Sequence, residues 1–210
     1  MPRGRFITFE GVEGSGKTTQ VAALGRFLAA RGVSVHATRE PGGTALGERL
    51  RDVLLDPASD PIPLAELLML EAARSQLVNR VVLPALDAGD WVLSDRFSDS
   101  SLAYQGAARG LGWERVRALN EAACGGLAPD RTLVLDLPVE EALARARSRV
   151  STTAANRRFE DEALGFHRRV ARAFRDLAVE EPERVVVVDA SGTAEEVHEA
   201  VLAALAGMLP

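Results

Sequence analysis

Residues Gly11-Val-Glu-Gly-Ser-Gly-Lys-Thr18 fit G-x-x-x-x-G-K-[ST], the spacing of a phosphate-cradling loop. Its lysine is the only one in the chain, for every other of the 25 basic residues is arginine. A compact ammonium on a thin stem can curl over such a loop and touch β- and γ-phosphate oxygens. The wider, planar guanidinium fork does not substitute freely there. Gly11, Gly14 and Gly16 let the backbone close around oxygen atoms. The implied chemistry is that of phosphate.

Such a loop needs an acid near its metal, usually an aspartate ending a buried strand beside it. Asp95, Asp136 and Asp189 all end apolar runs, and position alone does not choose among them. Asp95 is preferred because Arg96 follows at once, pairing a metal ligand with a fork for an acceptor phosphate. Asp136 precedes Leu-Pro and could instead cap a helix, and Asp189 could belong to the base-binding side. A second charged cluster surrounds Val150 to Asn156. Arg145, Arg147 and Arg149 precede it, and Arg157-Arg158-Phe-Glu-Asp-Glu162 follows. Small residues between arginines suit a lid, taken as roughly 147–160, that closes charge onto phosphates. A solvated, charged helix end is the plainer alternative.

The elements that must position these groups alternate. Arg5 to Phe9 reads as a buried strand, and Lys17 to Arg31 as a helix with Val21, Leu24, Phe27 and Leu28 on one face, closed by Gly32. A helix start below the loop aims free N–H groups and a positive dipole end at an anion. Further strands are expected at Val33–Ala37, Trp91–Ser94, Arg131–Leu137 and Arg184–Asp189. Helices are expected at 44–55, 64–86 with a break near Pro84, 100–106, 113–123, 140–149, 161–180 and 193–208. Five short Val/Ile/Leu-rich strands separated by helices imply an α/β fold with a parallel sheet covered on both faces.

Composition sets the outer limits. A chain of 210 residues, 47% hydrophobic and 26% charged, is one large domain of ordinary globular type. A formal charge of −5 argues against a general nucleic-acid binder. The lone Cys124 excludes an intramolecular disulfide or a cysteine zinc cluster, reads as a small buried filler, and fits a cytoplasmic setting. Neither a signal peptide nor a bilayer-spanning run is expected. A GTP-dependent switch would carry Asn-Lys-x-Asp, which is impossible when the only lysine sits in the loop. Small-molecule and nucleoside monophosphate kinases would share such a loop and lid.

Nearly the whole chain resembles one family, the thymidylate kinases. The marks are Phe9-Glu-Gly-Val-Glu-Gly-Ser-Gly-Lys-Thr-Thr19, Thr38-Arg-Glu-Pro-Gly-Gly-Thr44, Ala72-Ala-Arg74, Asp95-Arg96 and Ser100-Ser-Leu-Ala-Tyr-Gln-Gly106. The resemblance implies a P-loop kinase fold, usually a homodimer, that transfers the γ-phosphate of ATP to dTMP with Mg²⁺. It implies that Gly11, Val12, Glu13, Gly14, Ser15, Gly16, Lys17, Thr18 and Thr19 form the ATP phosphate site, with Thr18 and Asp95 toward Mg²⁺. Arg145 matches the position that stacks on adenine. Glu13 would accept the 3′-hydroxyl of the acceptor, and Tyr104 would obstruct a 2′-hydroxyl. Arg96 and Arg51 would clamp the acceptor phosphate, while Arg74, Ser101 and Gln105 would read thymine. Gly14, directly after Glu13, matches members whose catalytic arginine lies in the lid, here Arg149 and Arg158. Pro41 matches a proline that follows a cis peptide. Two departures stand out: Leu70 replaces the usual aromatic that covers thymine, and Arg157 replaces the aspartate before the lid arginine.

Overall fold

The computed structural model describes residues 3–148, 159 and 162–210. Five strands form one parallel sheet in the order β2-β3-β1-β4-β5. They are β1 (Phe6–Glu10), β2 (Val35–Arg39), β3 (Trp91–Asp95), β4 (Arg131–Asp136) and β5 (Val185–Asp189). The central strand β1 is buried along its whole length, as a continuous apolar run between two helical layers requires. Ile7, Phe9, Leu93, Leu133 and Leu135 are all buried between those layers. Each such side chain contributes about 1.5–3 kcal/mol of burial.

This strand order places the site. From β1 the chain crosses to β2 and β3 on one side and later to β4 and β5 on the other, so a crevice opens at the carboxyl ends of the strands. The loop after β1 leads into α1 (Lys17–Ala29) at that crevice. Phe9 pairs with Asp95, so the end of β3 lies beside the start of the loop.

The remaining helices are α2 (Ala45–Leu55), α3 (Pro63–Leu77), α4 (Leu83–Asp87), α5 (Ser98–Ser101), α6 (Trp113–Cys124), α7 (Val139–Arg147), α8 (Leu164–Glu180) and α9 (Ala194–Ala204). Three departures from the sequence expectation have local causes. The strand expected from Val33 starts at Val35, because the Val33 N–H bonds to Leu28 O and finishes α1 beyond Gly32. The long helix breaks earlier than Pro84, at a π-turn over Val78–Val82, and Pro84 falls in the first turn of α4 where its missing N–H costs nothing. The helix expected at 100–106 begins as α5 and widens into a π-turn over Leu102–Ala108 that carries Tyr104 and Gln105.

Cys124 is buried beside Phe6, Leu77, Val92 and Phe97, and burial pushes its thiol up to about 12. It is the filler the sequence suggested. The cis peptide expected at Pro41 is present between Glu40 and Pro41.

Candidate active site

α1 begins without a side-chain cap and without an acidic residue in its first turn. Its free N–H groups are therefore left for something else. By contrast α2 is capped by Thr44, and α9 by a Thr193–Glu196 capping box. The loop above α1 needs its glycines: Gly11, Gly14 and Gly16 all have positive φ, and a Cβ on Gly14 would stand 1.8 Å from Ala142 O.

Lys17 folds over this loop. Its Nζ donates to Gly11 O at 3.1 Å, Val12 O at 2.8 Å and Ser15 Oγ at 3.4 Å. Burial, and then the nearby Arg96 guanidinium, lower its ammonium to about 8. Thr18 and Asp95 meet, the threonine hydroxyl donating to Asp95 Oδ2 at 2.5 Å. The other two candidate aspartates are occupied: Asp136 takes a two-pronged bond from Arg175, and Asp189 accepts the Ser191 N–H. Among the described residues no cluster of three or more His, Cys, Asp or Glu side chains could hold a metal alone. One carboxylate and one hydroxyl suit Mg²⁺, which keeps waters and borrows phosphate oxygens. Thr19 and Arg145 border the same cleft. Arg145 is pinned to the turn after β5 through Ala190 O and Ser191 O, both at 3.0 Å.

Arg96 is the joint of the site. It has φ 73°, a left-handed conformation that is costly for a side-chain-bearing residue. Its guanidinium donates to Gly11 O, Ser100 Oγ and Glu13 Oε1 at 3.0, 3.1 and 2.9 Å. Glu13 Oε1 also accepts the Tyr104 hydroxyl at 2.8 Å. Burial alone would raise the Glu13 carboxyl, but Arg96, His167, Lys17 and Tyr104 together hold it down at about 2. Glu10, beneath the loop, accepts the Phe97 and Ser100 N–H groups. Burial and Asp99 push it up to about 7.

Two cavities meet at this joint. The first, about 460 Å³, lies over the glycine loop. A second of about 260 Å³ runs between α3 and the Tyr104 turn. Glu13, Glu40, Arg51 and Arg96 line both. Arg51 donates to Pro41 O, and burial lowers its guanidinium. Leu70, Arg74, Ser101, Tyr104 and Gln105 line the second cavity alone. Two nucleotide-sized pockets sharing an arginine-lined junction are what transfer between two phosphates requires.

A family model described as thymidylate kinase matches residues 9–201. The chain is 52% identical over 203 residues to the thymidylate kinase of Pelobacter propionicus, covering 95% of this chain and 93% of that one. It is 49% identical over 205 residues to that of Deinococcus radiodurans, covering 98% of each. The crystal structure of thymidylate kinase from Ehrlichia chaffeensis matches with a TM-score of 0.80 and 32% identity, covering 97% of this chain and 100% of that one. This chain belongs to the thymidylate kinase family, the ATP:dTMP phosphotransferases.

As a member of the thymidylate kinase family it holds surprises in the acceptor cavity. Arg74 is 1% exposed, and its five N–H groups all meet protein acceptors. These are Glu40, Glu71, Asn120, Phe97 O and the Ser101 hydroxyl, so Arg74 supports the cavity wall and lends Ser101 a polarised O–H. Gln105 spends its amide nitrogen on buried Glu66, to which it donates at 2.8 Å. Sequence reasoning passed over Glu40, Glu66 and His167. Glu40 lay inside a quoted motif. Glu66 and His167 carried one signal, a polar residue on an otherwise apolar helical face. Arg149, Arg157, Arg158 and Glu160, the lid candidates, lie outside the described residues.

Proposed function

We propose that this chain transfers the γ-phosphoryl group of ATP to dTMP, giving dTDP and ADP, by aligning two phosphates across Arg96 without a general base. The observation that carries this reading is the pair of cavities sharing Glu13, Glu40, Arg51 and Arg96. The acceptor phosphate is already an anion, so the protein's task is alignment and neutralisation of the charge on the transferred group. Lys17 and the loop N–H groups hold the donor phosphates, and Arg145 lies where adenine stacks. Arg96 and Arg51 face the acceptor phosphate; Arg149 and Arg158, the expected catalytic arginines, lie outside the described residues. Thr18 and Asp95 would hold Mg²⁺, which would supply neutralisation of the phosphate charge.

On the acceptor side, Glu13 accepts the 3′-hydroxyl and Tyr104 fills the space a 2′-hydroxyl would need. Ser101, fed by Arg74, donates to a thymine carbonyl, and the Gln105 carbonyl accepts the ring N–H. Leu70 covers part of the ring face with aliphatic surface. The whole chain, 1–210, works as one catalytic domain in the cytoplasm. No described helix is long and apolar enough to cross a membrane. It pairs as a homodimer through α2 and α3, which expose Leu46 and Val53 on the first and Leu64 and Leu68 on the second.

The decisive experiment is an ADP-release assay with ATP and Mg²⁺ across nucleoside monophosphates. The reading expects dTMP to be preferred over dUMP, dGMP and dAMP. Preference for a purine acceptor would overturn it and leave the fold untouched.

A further inference from the structure

His167 lies on α8 beneath the nucleotide loop, and its side chain is fully buried. Its Nδ1 stands 3.4 Å from Oε2 of Glu13. Neither ring nitrogen has a hydrogen-bond partner among the described residues, and neither does Glu13 Oε2. Its ring packs edge-on against Phe166, which packs in turn against Tyr104. Among the described residues, Glu13 is the carboxylate that the geometry sets beside this histidine.

The two oxygens of Glu13 are treated very differently. Oε1 already accepts Arg96 and Tyr104, which fills its two lone-pair directions. Oε2 is buried and, among the described residues, accepts nothing at good geometry. A buried anionic oxygen without a donor is costly, so its position implies a partner supplied by ligand. An arriving hydroxyl therefore has only Oε2 to use, and Oε2 has one further direction, which faces His167.

We propose that His167 is the positioning residue of the sugar subsite, its Nδ1–H steadying Oε2 of Glu13 so that the free lone pair meets the acceptor's 3′-hydroxyl. This rests on Glu13 as the 3′-hydroxyl acceptor, and deepens it by naming the atom that binds and the group that aims it. The geometry also ties the subsite to α8, the helix that follows the lid segment in the chain. The carboxylate is held from three elements: the strand β3 end through Arg96, the π-turn through Tyr104, and α8 through His167.

The test compares kcat/KM for dTMP and for 3′-deoxy-dTMP, which lacks the hydroxyl in question. His167→Leu should lower the ratio of the two by about tenfold, mostly by raising KM for dTMP and leaving the analogue nearly unchanged. His167→Asn, which places an N–H near the Nδ1 position, should keep the ratio within about threefold of wild type. His167→Gln, whose amide reaches toward the Nε2 position, should lose it like leucine. A packing role alone would slow both substrates together and leave the ratio where it was, which would overturn the inference. Should the leucine variant fail to fold, the asparagine and glutamine variants decide, and equal ratios for those two would overturn it as well. Glu13→Gln serves as the separate control. If it leaves the ratio unchanged, the Glu13 assignment fails and takes the role of His167 with it; if it collapses the ratio while every His167 variant keeps it, only the histidine falls.

Discussion

The donor end of the cleft is made of main chain, and the acceptor end of side chains. Over α1, glycine torsions and free N–H groups form the cradle, and even Lys17 rests on carbonyls of its own loop. Across Arg96 the wall is an ion network, with Arg74 bonded to Glu71 on its own helix and to Glu40, Asn120 and Ser101 from three other segments. The difference has a physical reason. Every triphosphate presents the same oxygens, which backbone amides can match regardless of the base attached. A particular base must be told from others by polar edges, and that calls for buried, fully satisfied side chains. One end should therefore fail in chemistry when altered, and the other in stability as well.

The largest effect should come from the two cations at the junction. Lys17→Ala and Arg96→Ala should each lower kcat by about a thousandfold or more, read as ADP release at saturating ATP and dTMP. Arg96→Lys should recover little of this. A single ammonium cannot make the forked contact that the guanidinium, carried at a φ of 73°, makes with Glu13, Gly11 O and Ser100. Retention of normal turnover by Arg96→Ala would dissolve the junction between the two ends.

Next comes stability, where the contrast is sharpest. Arg74→Ala strips a buried cation from Glu40 and Glu71 and should cost about 3–5 kcal/mol in urea unfolding. Thr18→Ala, at an exposed helix start, should stay within about 0.5 kcal/mol while raising the Mg²⁺ concentration needed for half-maximal rate. Equal stability losses would mean that the two ends are not built on different principles.

A smaller, pH-linked effect isolates the donor end. Burial, followed by Arg96, holds the Lys17 ammonium at about 8 in the ligand-free protein, against 10.5 for a free lysine. Between those values the unfolded chain binds a proton that the folded chain does not, so stability of the ligand-free enzyme should rise with pH across that window. Phosphate oxygens favour the charged form, so ATP binding at pH 8 should take up about half a proton. Calorimetry in two buffers of different ionisation enthalpy measures this uptake, and Lys17→Met should abolish it.

The same contrast decided what could be read from the sequence. The donor cradle occupies consecutive residues, and its strand, turn and helix follow from local patterning, so Gly11 to Thr18 announced both element and chemistry. Asp95 was favoured because Arg96 follows it, and its meeting with Thr18 brings together residues 77 apart. The acceptor wall is assembled from long-range pairs such as Arg74–Glu40 and Gln105–Glu66, separated by 34 and 39 residues. No periodicity marks such pairs, and only the resemblance to a family drew attention to half of them. His167 escaped altogether, because one polar residue on the buried face of α8 has no neighbour in sequence to explain it. The displaced break near Pro84 had another cause: a wide turn can absorb in advance what proline would otherwise disrupt.

The finest test concerns Leu70, which stands where the family resemblance implies an aromatic residue. A leucine half-buried at the cavity edge offers dispersion contact without the directional stacking of a flat ring. Leu70→Phe should add about 0.5–1.5 kcal/mol of ring-on-ring contact, hence a KM for dTMP lower by about threefold to tenfold. The base lies far from the transferred group, so this contact is equal in ground and transition states and kcat should stay level. A drop in kcat instead would show that phenylalanine displaces the nucleotide and so misaligns its phosphate. In that case Leu70 would be a necessity of this wall's shape, set by Leu55 and Pro41 which line the same cavity, and the missing aromatic would be no loss at all.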